Sequence, residues 1–237
     1  MRFSISSMLQ LIEVLENSTS ISLFIPGFPG GYRERPLFDD MRALNSDIYT
    51  VVYPGTTAND GILCPDSVVN SIESAIKTLQ KISKPLYIFA YSFGTLFLIK
   101  SKINVENIVG VFLFSPIFDL KFCLTGLFAD ELNQLDQSLF TVDTASFISK
   151  HTSENAAWNE YIVSLQNWIH PTIRLIFAIG KYDTVVNQQH VFSLLEQYFN
   201  RLSTNNYPLY LCDGDHKLDS IYQSNEQLHN ILKTMRT

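Results

Sequence analysis

The sequence predicts an α/β protein: a mostly parallel, six-stranded sheet with helices on both faces. Three observations carry that prediction. Short apolar, β-rich runs recur along the 237 residues, separated by longer segments with helical spacing. Most of these runs are almost continuously apolar instead of alternating, as strands covered on both faces by helices are. Strand and helix also alternate along the chain, which calls for right-handed crossovers and therefore parallel neighbours.

The runs, in order, are "ISLFIP" (21–26), "IYTVVYP" (48–54), "PLYIFAY" (85–91), "IVGVFLFSP" (108–116), "TIRLIFAIG" (172–180) and "YPLYLCDG" (207–214). Residues 66–82 set Val69, Ile72, Ala75, Ile76 and Leu79 on one helical face, with Asp66 or Ser67 as a cap and Lys84-Pro85 as the stop. "TLFLIKS", after the third run, reads as a helix. Residues 188–202 repeat the helical pattern through Val191, Leu194, Leu195, Tyr198 and Leu202. The last segment does so through Leu218, Ile221, Leu228, Ile231 and Leu232. One interval breaks the rhythm. Residues 117–170 place about fifty aromatic-rich positions, Trp158 and Trp168 among them, between two strands, and structureless loops of that length are rare in compact domains. A helical cap is expected there, inserted into a single domain that spans 1–237.

Composition narrows the function. Apolar residues make up 46% of the chain and charged residues 17%, a packed globular composition and not a disordered one. The net charge of -6 offers no basic footprint for nucleic acid. Cys64, Cys123 and Cys212 are odd in number and widely spaced, so they support neither a disulfide framework nor a zinc site and point to a reducing compartment, the cytoplasm. Glu13 and Glu16 interrupt the first twenty residues, which are expected to be neither a signal peptide nor a membrane span; no stable membrane insertion is expected.

Chemistry enters at "FAYSFGT" (89–95), where Ser92 ends a strand and begins a helix. In an open parallel sheet, ligands and reactions collect at the carboxyl ends of the strands. A serine that projects from so tight a turn needs small residues two positions away on each side, and Ala90 and Gly94 supply them. The pentapeptide alone is common; the strand before it and the helix after it give it weight.

A serine hydroxyl needs a base. Of His151, His170, His190, His216 and His229, only His216 follows the last strand, in "CDGDHKLD"; the other four read as surface or interface residues. A buried carboxylate should orient that imidazole. Asp183, in "AIGKYDTVV" after the fifth strand, is the candidate, and Asp119, in "SPIFDL" after the fourth, is its rival. Asp213 and Asp215 lie too near His216 in sequence to reach its far ring nitrogen and read as turn formers. An oxyanion hole requires two backbone N–H groups. Phe93 offers one at the helix start, and Phe28, in the glycine-rich "IPGFPGGYRERP", offers the other.

Together these residues resemble the α/β-hydrolase superfamily from about residue 20 to the C-terminus. "FIPGFPGG" looks like its oxyanion loop, "FAYSFGT" like its nucleophile elbow, "GKYDTVV" like its acid loop and "GDHKLD" like its histidine loop. The resemblance implies a Ser92–Asp183–His216 triad with oxyanion donors at Phe28 and Phe93. It also implies six parallel core strands, with a short N-terminal helix in place of the family's first two. Two departures stand out. Pro26 occupies the position before the oxyanion-loop glycine where the family often has histidine, so the loop must be braced differently, and Ala90 replaces the first elbow glycine.

Such a triad hydrolyses a carboxylic ester or thioester through an acyl-enzyme on Ser92, with no cofactor or metal. The aromatic cap suggests a small-molecule substrate with an apolar acyl or aryl group. The same constellation serves amide, peptide or carbon–carbon cleavage and acyl transfer. A non-catalytic ligand- or protein-binding module of the same fold is the alternative from a different class.

Overall fold

The computed structural model describes residues 8–27, 36–53, 65–118, 170, 172–186, 188–199 and 209–235. Its strands are β1 (Leu9–Glu13), β2 (Ser20–Ile25), β3 (Ser46–Val51), β4 (Leu86–Tyr91), β5 (Ile108–Phe114), β6 (Arg174–Gly180) and β7 (Leu209–Cys212). The helices among the described residues are α1 (Leu37–Ala43), α2 (Pro65–Gln80), α3 (Phe93–Lys100), α4 (Gln188–Phe199), α5 (Leu218–Gln223) and α6 (Glu226–Thr234). The strands form one sheet in the order β1-β3-β2-β4-β5-β6-β7. β2 to β7 are parallel, and each coincides with one of the apolar runs.

The pleat explains why those runs are apolar throughout. Ile21, Leu23 and Ile25 of β2, Ile88 and Ala90 of β4, and Leu175, Phe177 and Ile179 of β6 point to one face, where they pack with α2, α3 and α4. Their neighbours Phe24, Phe89, Phe112, Phe114 and Ile176 point to the other, under α1, α5 and α6. Burying each such side chain stabilises the fold by roughly 1.5–3 kcal/mol, so a sheet covered on both faces favours apolar residues at successive positions.

The N-terminus corrects the expectation of a helix. Residues 9–13 form β1, which pairs antiparallel with β3 (Leu9 opposite Val51, Leu11 opposite Tyr49). The short apolar stretch fits either period; backbone pairing at the sheet edge decides it. With β1 the sheet has seven strands among the described residues, not six. Helix α1 was not anticipated either, because its apolar set, Leu37, Phe38 and Met41, is too short to register as a period. The last helical segment is two helices: Asn225 leaves the helical conformation and its side chain caps α6 by accepting from the Gln227 and Leu228 amides.

The expected cap at about 117–170 falls on 119–169, outside the described residues; Ile117 and Phe118, which lead into it, are buried in the core. Among the described residues no helix is long and apolar enough to cross a membrane.

Candidate active site

Ser92 stands at φ 51°, ψ -121°, between the end of β4 and the start of α3. That conformation costs a non-glycine residue on the order of 1–3 kcal/mol and persists only where the surroundings enforce it. Here they do. The Ser92 amide donates to the Phe114 carbonyl at 2.9 Å, and the Thr95 hydroxyl donates to the Ser92 carbonyl at 2.6 Å. The need for small neighbours is visible on both sides. A Cβ on Gly94 would lie 2.5 Å from the Ile25 carbonyl oxygen and 2.6 Å from that of Pro26, so only glycine lets α3 press onto the end of β2. Ala90 is fully buried, in register between Ile25 and Leu113. The serine itself is 3% exposed, so it is more enclosed than a residue projecting from a turn was expected to be.

The structure brings the three predicted side chains together. Ser92 Oγ lies 2.9 Å from His216 Nε2. On its far side, His216 Nδ1 lies 2.9 Å from Asp183 Oδ2 and 3.0 Å from Oδ1. An ionised carboxylate only accepts, so Nδ1 carries the proton and Nε2 is left to accept from the serine hydroxyl. The Asp183 side chain is wholly buried. Its Oδ1 accepts from the Val185 amide at 3.0 Å and the Val186 amide at 2.9 Å, and its Oδ2 from the Ser115 hydroxyl at 2.7 Å. Burial by itself pushes the carboxyl up. The hydrogen bond and charge of His216, the Ser115 hydroxyl and the Val186 amide outweigh it and hold Asp183 below the ordinary carboxylate range.

Loop packing sets this alignment. A Cβ on Gly180 would fall 2.3 Å from the Asp215 carbonyl oxygen and 2.4 Å from that of Gly214, so the acid's strand end and the histidine loop are in direct backbone contact. The Tyr91 hydroxyl donates to the His216 carbonyl at 3.0 Å. Asp215 accepts from the Ser220 hydroxyl and the Lys217 amide, the turn role expected of it, whereas Asp213 lies 3.8 Å from the Lys181 ammonium on the neighbouring loop.

Phe93 is the first residue of α3, directly after Ser92. Phe28 and the rival acid Asp119 lie outside the described residues, as does His151. The residues before Phe28 reach the site. A Cβ on Gly27 would meet the Tyr91 ring at 3.0 Å and Ser92 Cβ at 3.1 Å. The different brace expected for Pro26 is Tyr53, whose buried hydroxyl donates to the Pro26 carbonyl. Burial drives that phenol far above its usual range and keeps it a donor. Sequence reasoning missed Tyr53 and Ser115. Ser115 directly follows β5 and Tyr53 lies two residues past β3, a place at a strand end that is the only signal either carries.

Of the histidines read as structural, His170 Nδ1 pairs with the Thr172 hydroxyl. His229 belongs to a second carboxylate pair: its Nδ1 lies 2.6 Å from Asp40 Oδ2, which also accepts from the Tyr222 hydroxyl. No group of three or more His, Cys, Asp or Glu residues suited to a metal ion occurs among the described residues.

No protein-family model and no curated protein sequence matches the chain. Solved structures do. The esterase Pf2001 of Pyrococcus furiosus superposes with a TM-score of 0.64 at 18% identity, over 92% of this chain and 82% of that one. Est1E from Butyrivibrio proteoclasticus gives 0.60 at 13% identity, over 99% and 96%. The S-formylglutathione hydrolase of Staphylococcus aureus gives 0.59 at 12%, over 100% and 97%. Likeness at such identities is a likeness of fold, and the chain has the α/β-hydrolase fold.

Proposed function

We propose that the chain is a serine hydrolase that cleaves a carboxylic ester or thioester through an acyl-enzyme on Ser92. One observation carries the reading: a serine held at φ 51° on a strand end, 2.9 Å from an imidazole whose other nitrogen is 2.9 Å from a buried carboxylate. A serine in an ordinary helix cap needs none of this.

In the proposed reaction, His216 Nε2 takes the Ser92 proton as Oγ attacks the substrate carbonyl, and Asp183 stabilises the imidazolium that forms. The N–H groups of Phe93 and Phe28 hold the developing oxyanion, the first aided by the α3 dipole. His216 then protonates the leaving alcohol or thiol. Water, activated by the same imidazole, releases the acid. No metal or cofactor takes part. The domain spans 1–237 with a helical cap at about 117–170, whose aromatics select a small molecule with an apolar acyl or aryl group. The esterases and the S-formylglutathione hydrolase among the fold's other carriers agree with this direction. A cytoplasmic setting fits the three scattered cysteines, of which Cys212 is a buried free thiol.

A fluorophosphonate probe tests the reading. Stoichiometric labelling at Ser92, lost in Ser92→Ala and in His216→Ala, is the expected result. A folded protein that takes no label would overturn it.

A further inference from the structure

We infer that Ser115 is a positioning residue for this site: its hydroxyl sets the rotation of the Asp183 carboxylate and, through it, the aim of His216 at Ser92. The inference rests on the hydrolase reading above.

Ser115 follows β5 at φ 43° and is fully buried. A left-handed position inside a core is where glycine is expected, and a side-chain-bearing residue there is disfavoured. The backbone requirement alone therefore does not account for serine; the hydroxyl does. The Ser115 amide donates to the Ala178 carbonyl of β6 at 2.8 Å, which ties the residue to the strand that carries Asp183. Its Oγ lies 2.7 Å from Asp183 Oδ2, the oxygen that also takes His216 Nδ1 at 2.9 Å. With the Val185 and Val186 amides on Oδ1, both carboxylate oxygens are held and the group has no free rotation.

The contact also has an electrostatic effect. By sharing Oδ2, Ser115 draws off part of the charge that faces the imidazole, so removing it leaves the imidazolium better stabilised. The groups facing the pair are Tyr91 and Ser92 from the elbow, Ser115 from β5 and the Asp183 loop itself. Of the charged neighbours on the two loops, Lys181, Asp213 and Lys217 are exposed, and Asp215, half-buried, is tied to the Ser220 hydroxyl and the Lys217 amide.

The experiment compares Ser115→Ala and Ser115→Gly, alone and combined with Asp183→Ala, on a p-nitrophenyl ester, with thermal unfolding alongside. Both single variants should lose about tenfold in kcat with KM nearly unchanged, as expected for a lost hydrogen bond to a charged group acting indirectly. The acid limb of kcat/KM should move to higher pH. Neither variant should cost anything further in the Asp183→Ala background. Glycine relieves the positive φ, so Ser115→Gly should unfold at a higher temperature than Ser115→Ala while losing the same activity. Wild-type rate and pH profile in either variant, or a loss that persists undiminished without Asp183, would overturn the inference. If the wild type hydrolyses no ester, the His216 Nδ1–H proton resonance reads the contact instead. A shift of that resonance in Ser115→Ala keeps the positioning role and moves the failure to the hydrolase reading; an unchanged resonance ends the inference.

Discussion

His216 with Asp183 and His229 with Asp40 are the same chemical pair in two settings, with Nδ1 to Oδ2 distances of 2.9 and 2.6 Å. Each carboxylate accepts from a hydroxyl, Ser115 in the first and Tyr222 in the second, and the first pair has a further hydroxyl on the other side of its imidazole. In the first, Ser92 meets the far imidazole nitrogen, so the histidine stands between hydroxyl and carboxylate. In the second, Tyr222 donates to the carboxylate beside the histidine, and no proton path from phenol through imidazole results. Burial, and then the hydrogen bond and charge of Asp40, push the Tyr222 phenol far up, which makes it a donor and nothing more. Position separates the pairs as well. Asp183 and His216 sit on loops after β6 and β7, at the carboxyl edge of the sheet, whereas Asp40 is on α1 and His229 on α6. A carboxylate–histidine pair is thus generic. What marks a reactive site is a strained serine on the imidazole's other nitrogen.

The sharpest break of this comparison is a paired substitution. His216→Ala should lower turnover by about four to six orders of magnitude. His229→Phe should leave it within about twofold, since the residue touches no reacting group. Equal losses measured on one ester, in variants shown to be folded, would erase the distinction.

Stability should divide the pairs the other way. Asp40→Ala leaves the buried Tyr222 hydroxyl without its acceptor and removes the hydrogen bonds that join α1 to α5 and α6, a cost of about 1–3 kcal/mol. A melting temperature lower by roughly 3–8 °C, with turnover nearly unchanged once folded, is the expected outcome.

Acid should separate them further. Asp183 has a folded-state carboxyl below its ordinary value of about 3.9, so its stabilising contribution is complete above that value and is lost as pH falls through the folded one. The urea-midpoint gap between wild type and Asp183→Asn should therefore hold above about pH 5 and narrow as pH falls below it. A constant gap would mean that the fold does not favour the carboxylate.

The smallest effect concerns a polar group with no such assignment. Ser22, fully buried in β2, has no hydrogen-bond partner for its hydroxyl among the described residues. Ser22→Ala should be neutral or stabilising by up to about 1 kcal/mol, because it removes a buried group that makes no bond. A clear destabilisation in chemical unfolding would show that the hydroxyl has a partner.

Much of this architecture was legible in the residues. Continuous apolar runs specify strands buried on both faces, and all six such runs are strands. The small pair Ala90 and Gly94 around Ser92, and Asp183 and His216 after successive later strands, are local patterns legible from their immediate neighbours. Apart from the short helix α1, the misses share one cause. β1 is a strand because β3 offers its edge, and Tyr53, Ser115 and His229 take their roles from Pro26, Asp183 and Asp40, partners between 27 and 189 residues away. Periodicity and turn chemistry act over a few residues, so the sequence by itself determined the six parallel strands and the candidate side chains at their ends. Which hydroxyl braces which loop, and which of two histidine–aspartate pairs receives a serine, was decided only when the folded sheet brought those loop ends within hydrogen-bond distance, where a shift of an ångström makes or breaks the contact.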